Sequence, residues 1–376
     1  MGAVSSKRGA EATPLPSLAQ TARDRRSHWP LLLGASQLRT HHGCRYYRAL
    51  VSVPKTMLSG PAQEDIRQMD IDVPRLCPHE PLRESYRRVV SAFTLHSLQP
   101  GGYVPSVGML AAALLDALHD EETTFWCLSA LFDSPYLFNG QLFGQPQFDE
   151  LTDFYNAVRR RLPRLVRHLE SGGRGELFDG PQHGLMILGA AGWIGTLFAN
   201  SLGEYHLCHA CIDACCFFGL QAAHLIAIEL LRNTMAEILR SNDIVVIINA
   251  MRAAEAQVAR CPNKAQATVL AALPSRAQCK QMQCNVHHSL NQQKALWDRQ
   301  AARGLNLAFL SESHRLWTMA PKEDSKLLHR CMSKLNHVSI VLNEGNPPRP
   351  PKTQYIVKHG VLTHFQTTAA DALGKL

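Results

Sequence analysis

Strand-like alternation is scarce along these 376 residues, and aromatic side chains make up only 7% of them. That shortage argues against a sandwich or barrel, whose strands need period-two apolar runs bounded by turn residues. No basic run is interleaved with aromatics, so the positive charge lacks the pattern of a nucleic-acid reader, and no specific nucleic acid is expected as a partner. The eleven cysteines form no repeating disulfide framework. Polar residues and Lys7–Arg8 stand where an apolar secretory leader would begin. Both features give the expectation of a reducing, cytoplasmic home.

Metal chemistry has little to work with. His206, Cys208, His209, Cys211, Cys215 and Cys216 form one cluster, and Cys279, Cys284, His287 and His288 another. Neither has paired ligand arms separated by a finger-length loop. Cys208, Cys211 and Cys215 fall at i, i+3 and i+7, one face of a helix, where cysteine packs as a small core residue. The second cluster lies in a polar, Gln-rich stretch and keeps a stronger metal claim than the first. No metal and no cofactor are expected.

What is present is enough apolar residue, 45%, to bury a substantial core in one large domain or two ordinary ones. The net charge of +8 is uneven. Residues 1–60 and 261–376 carry +7 and +9, and residues 61–260 carry −8. Basic flanks on an acidic body point to solvated tails or to contact with anionic lipid. Residues 1–22 read as a disordered basic N-terminus. Within it, Met1-Gly2-Ala3-Val4-Ser5-Ser6 fits the acceptor pattern for N-myristoylation at Gly2. One acyl chain binds membranes only marginally, so Lys7, Arg8, Arg23, Arg25 and Arg26 supply the second signal on an anionic membrane surface. The expected location is cytoplasmic, peripheral on the cytosolic face of endomembranes.

From Arg23 onward the pattern is helical, and the fold class is all-α. Leu110, Leu114, Leu115 and Leu118 share a helix face. Phe148, Leu151, Tyr155, Val158, Leu162, Leu165 and Leu169 recur three and four apart, with Pro163 ending or bending that helix near Leu162. Leu185–Leu202 and Leu207–Leu231 approach membrane-span length. His209, Asp213, His224 and Glu229 are costly in lipid, so buried helices of a large domain are the better reading. Composition turns to Gln, Lys, His and Asn beyond Cys261–Pro262, which places a boundary there and a basic, partly helical extension over residues 261–376. In that extension helices are expected around Gln292–Leu310 and Lys326–Leu335, a proline-rich spacer at Asn346–Pro351 and a strand-like run at Gln354–Val357.

Several fragments occur in an order that resembles the TBC domain of Rab GTPase-activating proteins. Arg25/Arg26 through Trp29 to Leu31-Leu32-Leu33-Gly34 is similar to that family's opening Arg-x-x-x-Trp-x-x-Leu-Leu-Gly, and Tyr46-Tyr47-Arg48-Ala49-Leu50 to its Tyr-x-x-Leu step. Met69 to Leu76 resembles Ile-x-x-Asp-x-x-Arg-Thr, with Asp72 and Arg75 in register. Gly102-Tyr103 to Gly108-Met109 stands where the family has Gly-Tyr-x-Gln-Gly-Met. Phe125-Trp126-Cys127-Leu128, Trp193-Ile194-Gly195-Thr196-Leu197-Phe198 and Ile212-Asp213 with Gly219 resemble its later segments. The resemblance covers roughly residues 23–250, and the domain is placed at residues 23–260.

The resemblance implies a multi-helix domain that binds a Rab-type small GTPase in its GTP state. It would stimulate GTP hydrolysis by that partner and have no small-molecule substrate of its own, a role in membrane trafficking. In GTP hydrolysis, negative charge building on the transferring phosphoryl group is poorly compensated, and an arginine inserted from outside stabilises it. Arg75 occupies that arginine's place, supported by Asp72, Tyr103, Val107, Gly108 and Met109. Trp29, Trp126, Trp193 and Asp213 are structural anchors. The family's water-positioning glutamine has no counterpart: Val107 stands there when Gly108-Met109 sets the register, and Pro105 when Tyr103 does. Two readings follow, an activator that borrows the partner's own glutamine and a non-catalytic scaffold that binds a Rab or another trafficking protein.

Overall fold

Apolar residues recurring three and four apart, with few β-branched runs, commit most of this chain to helices that bury one face each. The computed structural model describes residues 22–54, 60–97, 103–138, 148–171, 192–201, 203–302, 353–358 and 361–367. Gly2, Lys326–Leu335 and Asn346–Pro351 lie outside the described residues.

The first half contains α1 (Ala22–Leu32), α2 (Ala35–His42), α3 (Tyr46–Val51), α4 (Gly60–Leu76), α5 (Arg83–Ser97), α6 (Pro105–Leu118) and α7 (Glu121–Asp133). Then come α8 (Phe148–Arg161), α9 (Pro163–Ser171), α10 (His206–Phe218), α11 (Gln221–Ile238), α12 (Ile244–Ala259), α13 (Pro262–Ala272) and α14 (Arg276–Ala302). Local chemistry sets several boundaries. Asp120 caps α7 by accepting from the Thr123 amide at 2.8 Å, and Asp243 caps α12 by accepting from Val245 at 2.7 Å. Pro105 and Pro262 open α6 and α13, where no amide donor is missed. Pro163 separates α8 from α9, as the sequence predicts.

α10 is apolar all round and occupies the middle, packed by α1, α6, α11, α12, α13 and α14. Cys208, Cys211, Cys215 and Cys216 are buried along it as core residues. Gly219 (φ +69°) breaks the apolar stretch between α10 and α11, where an added Cβ would stand 2.9 Å from the Tyr136 carbonyl oxygen. Among the described residues no helix is long and apolar enough to cross a membrane.

Buried polar pairs join distant elements. The Arg25 guanidinium bonds the Asp213 carboxylate at 2.8 Å, and the Trp29 indole N–H donates to the same carboxylate at 2.8 Å, tying α1 to α10. Burial outweighs both partners and raises the Asp213 carboxyl above its ordinary value. The Trp193 N–H donates to Glu255 at 2.6 Å, fastening a wide turn at residues 192–194 to α12. Trp126 is buried against Phe125, with ring centroids 4.8 Å apart.

The compositional change at Cys261–Pro262 does not coincide with a break in packing. Ala265 and Val269 of α13, and Cys279 and Met282 of α14, join the same core. On α14, Cys279 is buried while Cys284, His287 and His288 are exposed, so these four side chains do not converge on a metal. The strand-like run is one arm of an antiparallel hairpin, β1 (Thr353–Lys358) with β2 (Val361–Thr367), whose second arm the sequence reading misses.

Candidate functional site

Arg75 sits in the last turn of α4, where the negative end of the helix dipole favours a cation. Met69, Val73 and Leu76 face the core, which leaves Arg75 on the outer face with its side chain 59% exposed. Asp72, one turn earlier, is 8% exposed and accepts from the guanidinium at 2.9 Å. A half-solvated i,i+3 pair of this kind is worth only roughly 0.2–0.5 kcal/mol, so it orients the guanidinium without trapping it. The end of α4 is finished by Arg83, whose Nε donates to the Cys77 carbonyl at 3.1 Å.

Tyr103 closes the site from the other side. It precedes α6, and its hydroxyl donates to the second oxygen of Asp72 across 3.4 Å. Its backbone amide donates to Asp65, two turns before Asp72 on α4. Burial, chiefly, holds the Tyr103 phenol well above its usual value, so it remains an O–H donor at any working pH. Asp72 therefore receives one donor from Arg75 and one from Tyr103, and the entry to α6 is pinned to α4 at two points.

Gly108 explains how the elements come this close. A Cβ there would stand 2.8 Å from the Leu76 Cδ1, 3.1 Å from the Tyr103 hydroxyl, and in overlap with the Tyr86 hydroxyl. Only glycine lets the first turn of α6 rest on the α4–α5 crossing. Met109 is half-buried against the core. Val107 points inward, 2% exposed, and Pro105 is exposed without a side-chain donor. Arg75, Asp72, Tyr103 and Gly108 thus form one group, while Val107 turns away from it into the core.

Three participants escape the sequence reading. Ile71 is exposed one turn before Arg75, an apolar side chain on the same outer face, and the i,i+4 spacing is the signal for it. Tyr86 and Arg83 come from α5, and no local spacing links them to Arg75. Trp29, Trp126, Trp193 and Asp213 are buried.

Comparison with known proteins gives this geometry a family. The model of the Rab-GTPase-TBC domain matches residues 23–239. The chain is similar to TBC1 domain family member 2A of Homo sapiens, 29% identical over 226 residues, which are 56% of this chain and 22% of that protein. The protein of that name from Rattus norvegicus is 28% identical over 196 residues, 50% of this chain and 20% of its own length. Carabin of Mus musculus is 29% identical over 177 residues, 46% of this chain and 37% of its own. The chain spans between about a fifth and somewhat over a third of the length of these relatives. Among solved structures, the Chlamydomonas flagellar RabGAP TBC domain superposes with a TM-score of 0.52 at 22% identity, covering 66% of this chain and 80% of that one, a likeness of fold. The family match takes in more than half of the residues, and this chain belongs to the Rab-GTPase-TBC domain family.

Proposed function

We propose that this protein activates GTP hydrolysis on a Rab-type small GTPase in its GTP state by inserting Arg75 into the partner's nucleotide site. The observation that carries the reading is the pairing of an exposed guanidinium with a buried carboxylate that is itself held by Tyr103. A guanidinium presented this way donates parallel hydrogen bonds to phosphate oxygens as negative charge develops on them. Ile71 beside it gives the partner an apolar contact that helps exclude water from the inserted charge. The attacking water is oriented by the GTPase's own glutamine, since neither Val107 nor Pro105 can donate or accept a side-chain hydrogen bond.

The buried Val107 supports a second reading, a scaffold that binds the GTPase without accelerating it. One experiment separates the two. The protein is added to a panel of GTP-loaded Rab proteins under single-turnover conditions, beside its Arg75→Ala variant. Acceleration of at least one Rab that the variant loses supports the activator. Binding to a GTP-loaded Rab with no acceleration by either protein supports the scaffold and rejects the activator. Myristoylation at Gly2 and recruitment to endomembranes belong to the same reading, and mass spectrometry of the protein from eukaryotic cells checks the acyl group directly.

A further inference from the structure

The surface of the acidic middle region is not uniformly acidic. Residues 61–260 hold fifteen arginines, no lysine and a net charge of −8, yet five of those arginines fall within residues 159–167. Arg159, Arg160 and Arg161 end α8, and Arg164 and Arg167 lie on α9 beyond the Pro163 bend. All five are exposed, because Phe154, Val158, Leu165 and Val166 take the inner face.

Several exposed or half-exposed arginines elsewhere in the fold are paired: Arg39 with Glu122, Arg67 with Glu64, Arg75 with Asp72, Arg87 with Asp70 and Glu84, Arg88 with Glu121, and Arg232 with Glu229. Among the described residues none of the five meets a carboxylate, and the one hydrogen bond they make runs from Arg167 Nε to the Pro163 carbonyl at 3.4 Å. Five guanidinium groups on one short bent segment therefore repel one another, and among the described residues no ion pair offsets it. The acidic residues of α8 and α9 lie outside this stretch, and residues 159–167 themselves hold five arginines and no carboxylate, whereas α4 and α5 interleave both signs.

An apolar feature adjoins them. His168, next to Arg167, hydrogen-bonds the Ser241 carbonyl through Nε2 at 2.9 Å, which fixes the loop before α12 against the end of α9. That loop brings Arg240, also exposed, and leads into Val245 and Val246, which are 58% and 50% exposed. The one carboxylate between them, Asp243, is engaged in capping α12. Exposed valines alone would be ordinary surface scatter. Beside unpaired guanidinium groups they form a mixed surface, with cations for phosphate and aliphatic tips for the level just beneath the headgroups.

We propose that the arginine face of α8 and α9, together with Val245 and Val246, docks this domain on an anionic lipid bilayer. Single-stranded nucleic acid fits less well, because among the described residues no exposed aromatic stands with the arginines and the valines would gain nothing from it. The face needs neither Arg75 nor an acyl chain, so the proposal stands apart from the GTPase reading.

The test uses the full chain made without acylation, co-sedimented with phosphatidylcholine vesicles that do or do not contain phosphatidylserine. It is compared with the triple variant Arg160→Glu/Arg164→Glu/Arg167→Glu, its milder Arg→Gln counterpart, and the double variant Val245→Ser/Val246→Ser. The basic N-terminus is common to all of them, so differences report this face. The expected result is binding that requires phosphatidylserine. Neutralising the three arginines lowers it by about a hundredfold, at roughly fivefold for each basic residue, and the serine variant lowers it by about tenfold. Equal melting temperatures show that these exposed substitutions leave the fold intact. Equal binding by the Arg→Gln variant and the parent overturns the proposal, as does equal binding to neutral vesicles. Full binding by the serine variant also overturns it, because the valines would then add nothing to the contact with the bilayer.

Discussion

Arg75 owes its setting to neighbours drawn from three helices, and each can be removed separately. Asp72 is the neighbour through which Tyr103 acts, so Asp72→Ala leaves the guanidinium charged but unheld. Misplacement by about an ångström costs on the order of a hundredfold in rate. Asp72→Ala is therefore expected to slow a responsive Rab's hydrolysis by about that much while the affinity for the GTP-bound Rab stays within a few fold. Single-turnover kinetics against a binding titration checks the split, and equal loss in both would make Asp72 a general structural residue. Gly108→Ala acts differently, because its methyl group meets Tyr86, Leu76 and Tyr103 at once. Overpacking of that kind costs about 1–3 kcal/mol, read as a lower urea midpoint at unchanged slope.

At the scale of elements, the joints are polar side chains buried between helices far apart in sequence. Asp213→Ala strands Arg25 and leaves the Trp29 N–H without its acceptor at the α1–α10 contact. Breaking a buried pair in this way costs about 3–5 kcal/mol, and thermal unfolding of the variant measures it. Part of this framework was legible in the sequence, because Trp29 and Asp213 stand in motifs and the Pro163 break follows from a missing amide. The Asp72–Arg75 pair was legible too, since one helical turn separates the two. What stayed hidden is assembled from residues remote in sequence: Tyr86 beside Tyr103, Arg83 on the end of α4, and Glu255 under Trp193. The continuation of packing through α13 and α14 was hidden for another reason. A few small apolar residues such as Ala265 and Val269 carry the contact, while the polar outer faces dominate the composition.

At the scale of the whole molecule, three buried titratable groups among the described residues, His209, His224 and Glu255, pull the dependence of stability on pH in opposite directions. Burial lowers His209 from 6.5 to about 3, with the Arg25 charge adding to it, and burial lowers His224 from 6.5 to about 4. Both are neutral in the fold, so their contribution is complete above pH 6.5 and is lost as pH falls below it. Burial lifts Glu255 from 4.5 to about 7, so its contribution is present below pH 4.5 and is lost as pH rises through 7. Between these limits two histidines oppose one glutamate, and these three groups together remove about 1.4 kcal/mol per unit of falling pH. Glu255→Gln takes away the opposing proton, and urea midpoints for the variant are expected to fall about twice as steeply between pH 6.5 and 4.5. Equal slopes in parent and variant would show that Glu255 is not protonated in the fold.

The most direct test of the central claim is the rate at which a GTP-loaded Rab hydrolyses its nucleotide in a single turnover at saturating protein, with and without the Arg75 guanidinium. A trans-acting arginine is worth roughly a thousandfold to a hundred-thousandfold in rate. The account predicts that the parent accelerates its partner Rab and that Arg75→Ala abolishes the acceleration while still binding and still folded. Undiminished acceleration by Arg75→Ala would contradict it.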